Sequence, residues 1–165
     1  PVSRTAVALG KVAGGSTVAV FQGLLVLAFA PILGVCLSLG QILLIIGLML
    51  LLAAMMTALG ILVAVRQRTL ESFQALMNFL VLPMFFLSGA FFPLNSAPAW
   101  LRGFSRFDPM AYGVDALRQV TLRQNVSEAA LQELAILPVG VNAAVMAGLT
   151  VLFLAPAVWL FGRPD

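Results

Sequence analysis

The charge-free stretches of this chain constrain its fold more than any other feature. Residues 12–65, 72–101 and 134–162 contain no Asp, Glu, Lys or Arg. A helix crosses the hydrocarbon core of a bilayer with about 20 apolar residues. The first stretch is more than twice that long, so we expect it to cross once, turn and cross back. The glycines, Ser38 and Gln41 of GVCLSLGQ (34–41) are predicted to break the helix and form this turn.

This division predicts a polytopic, all-α bundle of transmembrane helices that forms one domain over residues 1–165. Only 9% of the residues are charged, whereas soluble domains contain about 25%. Nucleic-acid binding is not expected, because the chain contains no run of basic residues. The four predicted spans lie near residues 17–36, 42–65, 72–93 and 138–161.

The distribution of basic residues predicts how the bundle is oriented. Lys and Arg are enriched in cytoplasmic loops, and the turn at 34–41 contains neither. We therefore expect this turn and the segment 94–136 to lie on the outer side, although 94–136 carries as many arginines as acidic residues. The basic residues that place the other ends in the cytoplasm are Arg4, Lys11, Arg66, Arg68 and Arg163.

The segment 94–136 is predicted to form short helices, because it is too charged and too interrupted to cross a bilayer. Ser, Thr, Asp and Asn are favoured as N-caps, and proline is tolerated in the first helical turn, where its missing N–H costs nothing. The expected N-caps are Asn95 or Ser96, Asp108 and Ser127, with Pro98 and Pro109 in the first turns of their helices.

Two interpretations of these short helices remain open from the residue pattern. The rings of Trp100, Phe104 and Tyr112 suit the headgroup layer of a membrane, so the helices would form a hairpin that dips into the outer leaflet and packs on the bundle. The alternative is an ordinary amphipathic loop on the outer surface. Asp115 and Arg118, three residues apart in a helix, can pair and are expected to have a structural role in locking the outer hairpin.

Three motifs occur in this part of the chain, FLSGAFFP (86–93), PAWL (98–101) and DPMAYGVDALR (108–118). Their order and spacing resemble the permease subunit of ABC-type exporters of the type 2 class, a family of drug, polysaccharide and lipid exporters. The whole chain is similar to the last two-thirds of such a permease, without its first two spans. The resemblance implies re-entrant helices on the outer side, with a hairpin motif formed by Pro98, Trp100, Pro109, Tyr112, Asp115 and Arg118.

The resemblance also implies a function and partners. Such a permease moves a hydrophobic, drug-like, lipid or glycan substrate out of the cytoplasm, here across a bacterial inner membrane. It assembles with a second permease copy, identical or paralogous, and with ATP-binding cassette subunits that hydrolyse ATP. Residues 1–15 are similar to the cytoplasmic coupling helix of the family. Arg4, Gly10 and Lys11 would contact the ATPase, and Gly10, Gly14 and Gly15 would allow close backbone approach.

The chain itself is expected to catalyse no reaction and to bind no cofactor or metal. It has no histidine and a single cysteine, Cys36, so a transition-metal site is not predicted. Gln74 and Asn78 lie four residues apart in the third span, and polar groups inside a membrane usually face the bundle or a cavity. With Phe85 they are candidates for lining the export path. The alternative is hydrogen bonding between helices of a closed bundle.

Two other classes of protein remain as alternatives to a permease. A lipid-modifying membrane enzyme would need paired carboxylates, a histidine or a nucleophile near the membrane surface. The chain has no histidine, and each acid of 94–136 has an arginine nearby or a capping role. A structural or scaffold subunit would need no segment that couples to an ATPase.

Overall fold

The computed structural model describes residues 4–35, 37–91, 97–124 and 126–160, and within these ranges the chain is helical, with no β-strand. The predicted all-α fold class is confirmed. A short 3-10 turn at Ala30–Leu33 follows the first helix. The α-helices of the described ranges are α1 (Arg4–Leu27), α2 (Leu39–Ala64), α3 (Leu70–Leu87), α4 (Ala99–Ser105), α5 (Pro109–Leu122), α6 (Glu128–Leu134) and α7 (Val139–Leu160).

Four segments are long and apolar enough to cross a membrane, which confirms a polytopic transmembrane bundle. Among them, α2 has the highest mean hydropathy, 2.8. It packs against α1, α5 and α7, and a helix that is apolar on all sides suits this central position. The four segments are Ala6–Leu33, Leu39–Ala64, Leu70–Leu87 and Val139–Leu160.

The core of the bundle lies between α2, α5 and α7. Ile45, Leu48 and Met55 of α2 pack with Met146 of α7. The helix α5 contributes Ala116 and Val120, which are fully or almost fully buried. The helix α5, the second short helix of the segment 94–136, is therefore part of the core. This supports a hairpin packed on the bundle and contradicts an ordinary surface loop.

Small residues bring α1 and α2 close together. A Cβ added at Gly15 would lie 2.9 Å from the Oγ1 atom of Thr57, and one added at Gly23 would lie 2.8 Å from the Sδ atom of Met49. In membranes, such glycines let helix backbones approach closely. A Cβ added at Gly10 or Gly14 would meet no atom of the described chain within 4 Å, so close approach of a partner subunit at these glycines stays a prediction. The helix α1 also continues through all of these glycines.

The predicted turn between the first two spans is present, but Gln41 does not break the helix. Gly34 adopts a left-handed conformation, with φ of 78°, and ends the 3-10 turn. Ser38 is the N-cap of α2, and Gln41 completes a capping box by accepting the Ser38 N–H at 2.9 Å. In the third helical position, the side chain of Gln41 accepts an N–H group that the helix itself leaves without a partner. The prediction that Gln41 breaks the helix was therefore wrong. Cys36 lies outside the described residues.

The helix α3 is the least packed of the four long helices. Thr69 caps its N-terminus by accepting the Ser72 N–H at 3.2 Å. None of its residues is buried, and it touches α2, α4 and α5 over small areas. Pro83 lies inside the helix. Most of the surface of α3 is therefore open to lipid, water or another protein.

Candidate functional site

The predicted path-lining residues lie together on an exposed face of α3. Gln74, Asn78 and Phe85 fall within a narrow sector of the helix, at spacings of four and seven residues. All three are exposed, Phe85 by 40%. Neither amide side chain forms a hydrogen bond with another described residue. The side chains of Phe73 and Met77, which face α2, lie roughly 100° away around the helix.

An aromatic cluster lies at the C-terminal end of this face. The rings of Phe85 and Phe91 meet edge to face with centroids 5.0 Å apart, and those of Phe86 and Phe91 stack at 5.4 Å. Phe91 reaches back because the chain reverses at Gly89, whose φ is 78°. Sequence reasoning placed Phe85 on the path but missed Phe91, since this contact depends on the turn.

The turn after α3 is held by one side chain of α4 and one of α5. The hydroxyl of Ser105 donates to the Leu87 carbonyl at 2.8 Å, and the guanidinium of Arg118 donates to the Gly89 carbonyl. Ser88 donates to the Phe85 carbonyl at 2.7 Å. Carbonyls at a helix C-terminus have no backbone partner within the helix. The bonds from Ser105 and Arg118 therefore join the end of α3 to α4 and α5.

Asp115 joins α5 to the beginning of α7. Its carboxylate is 1% exposed and accepts the backbone N–H groups of Ile136 and Leu137 at 3.1 and 3.2 Å. It also accepts the side-chain amides of Asn142 at 2.7 Å and Gln119 at 2.9 Å. A buried charge requires such partners.

The predicted pairing of Asp115 with Arg118 was wrong. The two side chains form separate contacts, Asp115 towards α7 and Arg118 towards the end of α3. Both contacts join α5 to other parts of the bundle. Asn142 was not predicted, although a lone amide in the apolar sequence of the last span was a visible signal.

The beginning of α5 agrees with the prediction. Asp108 is its N-cap and accepts the Met110 N–H at 2.9 Å, with Pro109 at the first helical position. The hydroxyl of Tyr112 donates to the Arg106 carbonyl at 2.6 Å. The second carboxylate oxygen of Asp108 is buried without a partner, and burial raises the pKa of Asp108 from 3.8 to about 6.

The beginning of α4 differs from the prediction. Pro98 is the N-cap, with φ of −54° and ψ of 151°, and the helix starts one residue later, at Ala99. The Pro98 carbonyl accepts the N–H groups of Leu101 and Arg102 at 3.0 and 3.1 Å, so proline caps the helix here and does not lie in its first turn. Asn95 and Ser96 lie outside the described residues. Trp100 is 65% exposed.

The predicted coupling residues lie at the start of α1, which is one continuous helix from Arg4 to Leu27. Gly10 and Lys11 are exposed, and Lys11 lines a groove shared with α2 and α3. No metal-binding cluster of His, Cys, Asp or Glu occurs among the described residues. The site therefore consists of helix surfaces and hydrogen-bonded joints between helices.

The family of the chain follows from comparison with known proteins. A family model described as ABC-2 type transporter matches residues 1–122, a stretch that extends from the start of α1 to the end of α5. No curated protein and no solved structure matches the chain. The matched stretch is well over half of the chain and contains three of its four long apolar helices. The chain is a multi-pass membrane permease that belongs to the ABC-2 type transporter family.

Proposed function

We propose that this permease moves a hydrophobic, drug-like, lipid or glycan substrate out of a bacterial cytoplasm, driven by ATP hydrolysis on a separate subunit. The observation that carries the proposal is the exposed face of α3 formed by Gln74, Asn78 and Phe85. Amide side chains in hydrocarbon are costly without a polar partner. Because neither amide has one within the described chain, this face belongs against water, substrate or another subunit.

A second permease copy would complete the path. Two-fold symmetry is the commonest arrangement of paired subunits, and it brings the same surface of both copies together. If this surface is the exposed face of α3, the two pairs of amides line a shared route, and the Phe85–Phe86–Phe91 cluster closes its outer end. Binding sites for small molecules are lined mainly by apolar and aromatic side chains, which suits an exporter of hydrophobic molecules.

Coupling to the ATPase partner is proposed at the start of α1, through Arg4, Gly10 and Lys11. This segment is continuous with the membrane-spanning part of α1, so a push at its end moves the span as one body. Close packing at Gly15 and Gly23 passes this motion to α2. ATP binding would thereby shift the bundle between inward-facing and outward-facing states.

The test replaces Asn78 by Leu in the complete permease–ATPase complex, reconstituted in vesicles. ATP-driven movement of a fluorescent hydrophobic dye and of a headgroup-labelled lipid is measured, together with assembly by size-exclusion chromatography. We expect several-fold slower transport with normal assembly, and recovery in Asn78→Gln. The control is Phe79→Leu, because Phe79 is 74% exposed on a different face of α3 and should leave transport unchanged.

Two outcomes would contradict the path-lining role. The first is that Asn78→Leu prevents assembly and that no substitution at Asn78 slows transport without also preventing assembly. Asn78 would then form hydrogen bonds between the helices of a closed bundle. Equal transport defects in Phe79→Leu would also count against a specific polar face.

A further inference from the structure

A groove with apolar walls lies between the cytoplasmic halves of α2 and α3. We call it the inner groove, and its cavity volume is about 790 Å3. Its walls include Met56 and Gly60 of α2 and Phe73 and Met77 of α3. A Cβ added at Gly60 would meet only the Cε atom of Met77, at 4.0 Å. The small residue on α2 therefore creates the concavity.

The length of the inner groove matches one leaflet of a bilayer. On α3 its lining extends from Leu70 to Val81, which is about 16 Å along the axis at the helical rise per residue. Half of the hydrocarbon core measures about 15 Å. The groove begins at the α2–α3 connection, so in the predicted orientation it spans the cytoplasmic leaflet.

The cytoplasmic end of the inner groove is positively charged. Lys11 and Arg68 both line it, and Gln67 adds a side chain that can form hydrogen bonds. Neither cation forms an ion pair or hydrogen bond with another described residue. Glu71 is the only acidic residue between Lys11 and Asp108, and it is not part of the lining.

We propose that the inner groove binds an anionic phospholipid of the cytoplasmic leaflet. One acyl chain lies against Phe73 and Met77, and Lys11 and Arg68 hold the phosphate at the membrane surface. Basic side chains between helices on the cytoplasmic side are suited to anionic headgroups, and long basic side chains reach the headgroup layer from helix ends. Charge, length and apolar lining of the groove all fit this one ligand.

A second copy of the chain fits the inner groove less well. A two-fold interface centred here would bring Lys11 and Arg68 of both copies together, and like charges repel. The inference goes beyond the proposed export activity, because lipid binding needs neither ATP nor cargo. It also gives Lys11 a binding partner at the membrane surface in addition to its proposed place in the coupling segment.

The test measures lipid selectivity in the complete permease–ATPase complex without ATP. The complex is placed in phosphatidylcholine nanodiscs that contain a minor amount of spin-labelled phosphatidylglycerol or spin-labelled phosphatidylcholine. Electron paramagnetic resonance gives the motionally restricted fraction of each. We expect a larger restricted fraction for phosphatidylglycerol than for phosphatidylcholine, and we expect this difference to disappear in the K11Q/R68Q double variant. The matched control is Arg66→Gln, since Arg66 lies in the same connection but does not line the groove.

A second variant and a crosslink keep the test decisive if the double variant fails to fold. Gly60→Leu fills the groove and should lower the restricted fraction of both lipids. A photoreactive side chain at Met77 should crosslink to lipid. An equal loss of selectivity in Arg66→Gln would overturn the proposal in favour of general surface charge. Unchanged selectivity in K11Q/R68Q, or crosslinking of Met77 to a polypeptide, would also overturn it.

Discussion

Replacing Asp115 tests how α5 is fixed to the beginning of α7. Asp115→Ala removes the acceptor for the backbone N–H groups of Ile136 and Leu137. The amides of Gln119 and Asn142 keep a second acceptor, the Leu137 carbonyl. A buried donor without a partner costs about 1–3 kcal/mol. Because Ile136 and Leu137 are half-buried, the loss of both partners lowers the free energy of unfolding by at most about 6 kcal/mol.

Asp115→Asn should cost less than Asp115→Ala. An amide oxygen placed where Oδ2 lies still reaches all four donors, but the charge is lost and the amide nitrogen faces the Ile136 N–H. One such conflict costs about 1–3 kcal/mol.

The assay for both variants is reversible unfolding of the purified permease in mixed micelles with increasing denaturing detergent. The control is Glu133→Ala, because Glu133 is exposed and should change stability by less than about 0.5 kcal/mol. If Asp115→Ala costs no more than Glu133→Ala, the carboxylate does not hold α5 to α7. If Asp115→Asn lowers the free energy of unfolding as much as Asp115→Ala does, an amide oxygen at this position does not satisfy the four donors.

Two further predictions concern the outer helices and their side of the membrane. Burial raises the pKa of Asp108 from 3.8 to about 6, so between about pH 4 and pH 6 the folded protein keeps a proton that the unfolded chain releases, and stability falls as the pH rises through this window. Asp108→Asn keeps the cap and should remove this slope in thermal unfolding; an unchanged slope would assign it to other groups. In a cysteine-free background, a membrane-impermeant maleimide should label Trp100→Cys only from outside and Arg66→Cys only from the cytoplasm. Labelling of both from one side would refute the predicted topology and, with it, the export function argued from it.

The long helices were predictable because their cause is local. A bilayer requires about 20 apolar residues for each crossing, and the charge-free stretches show where such residues occur. Several helix starts were predictable for the same reason, since a cap involves only neighbouring residues. Asp108 and Ser127 cap α5 and α6 as expected.

The wrong predictions concern side chains whose partners are distant in sequence, and one side chain, Gln41, that could either interrupt a helix or cap it. Gln41 was read as a helix breaker, but it completes a cap and donates to the Val120 carbonyl at 3.0 Å. Asp115 and Arg118 were paired because they are three residues apart, yet Asp115 accepts hydrogen bonds at the beginning of α7 and Arg118 donates to the turn after α3. Spacing along one helix identifies possible partners and does not rank them against distant ones.

The sequence alone determined that this chain spans a membrane with four apolar helices, and its motifs indicated an exporter permease. The cause is that hydrocarbon length and helix capping act on consecutive residues. Only the tertiary structure decided that α5 enters the core, that Asp115 binds the start of α7, and that α3 leaves Gln74 and Asn78 exposed. Those outcomes depend on which helices pack together, and packing joins residues that the sequence keeps far apart.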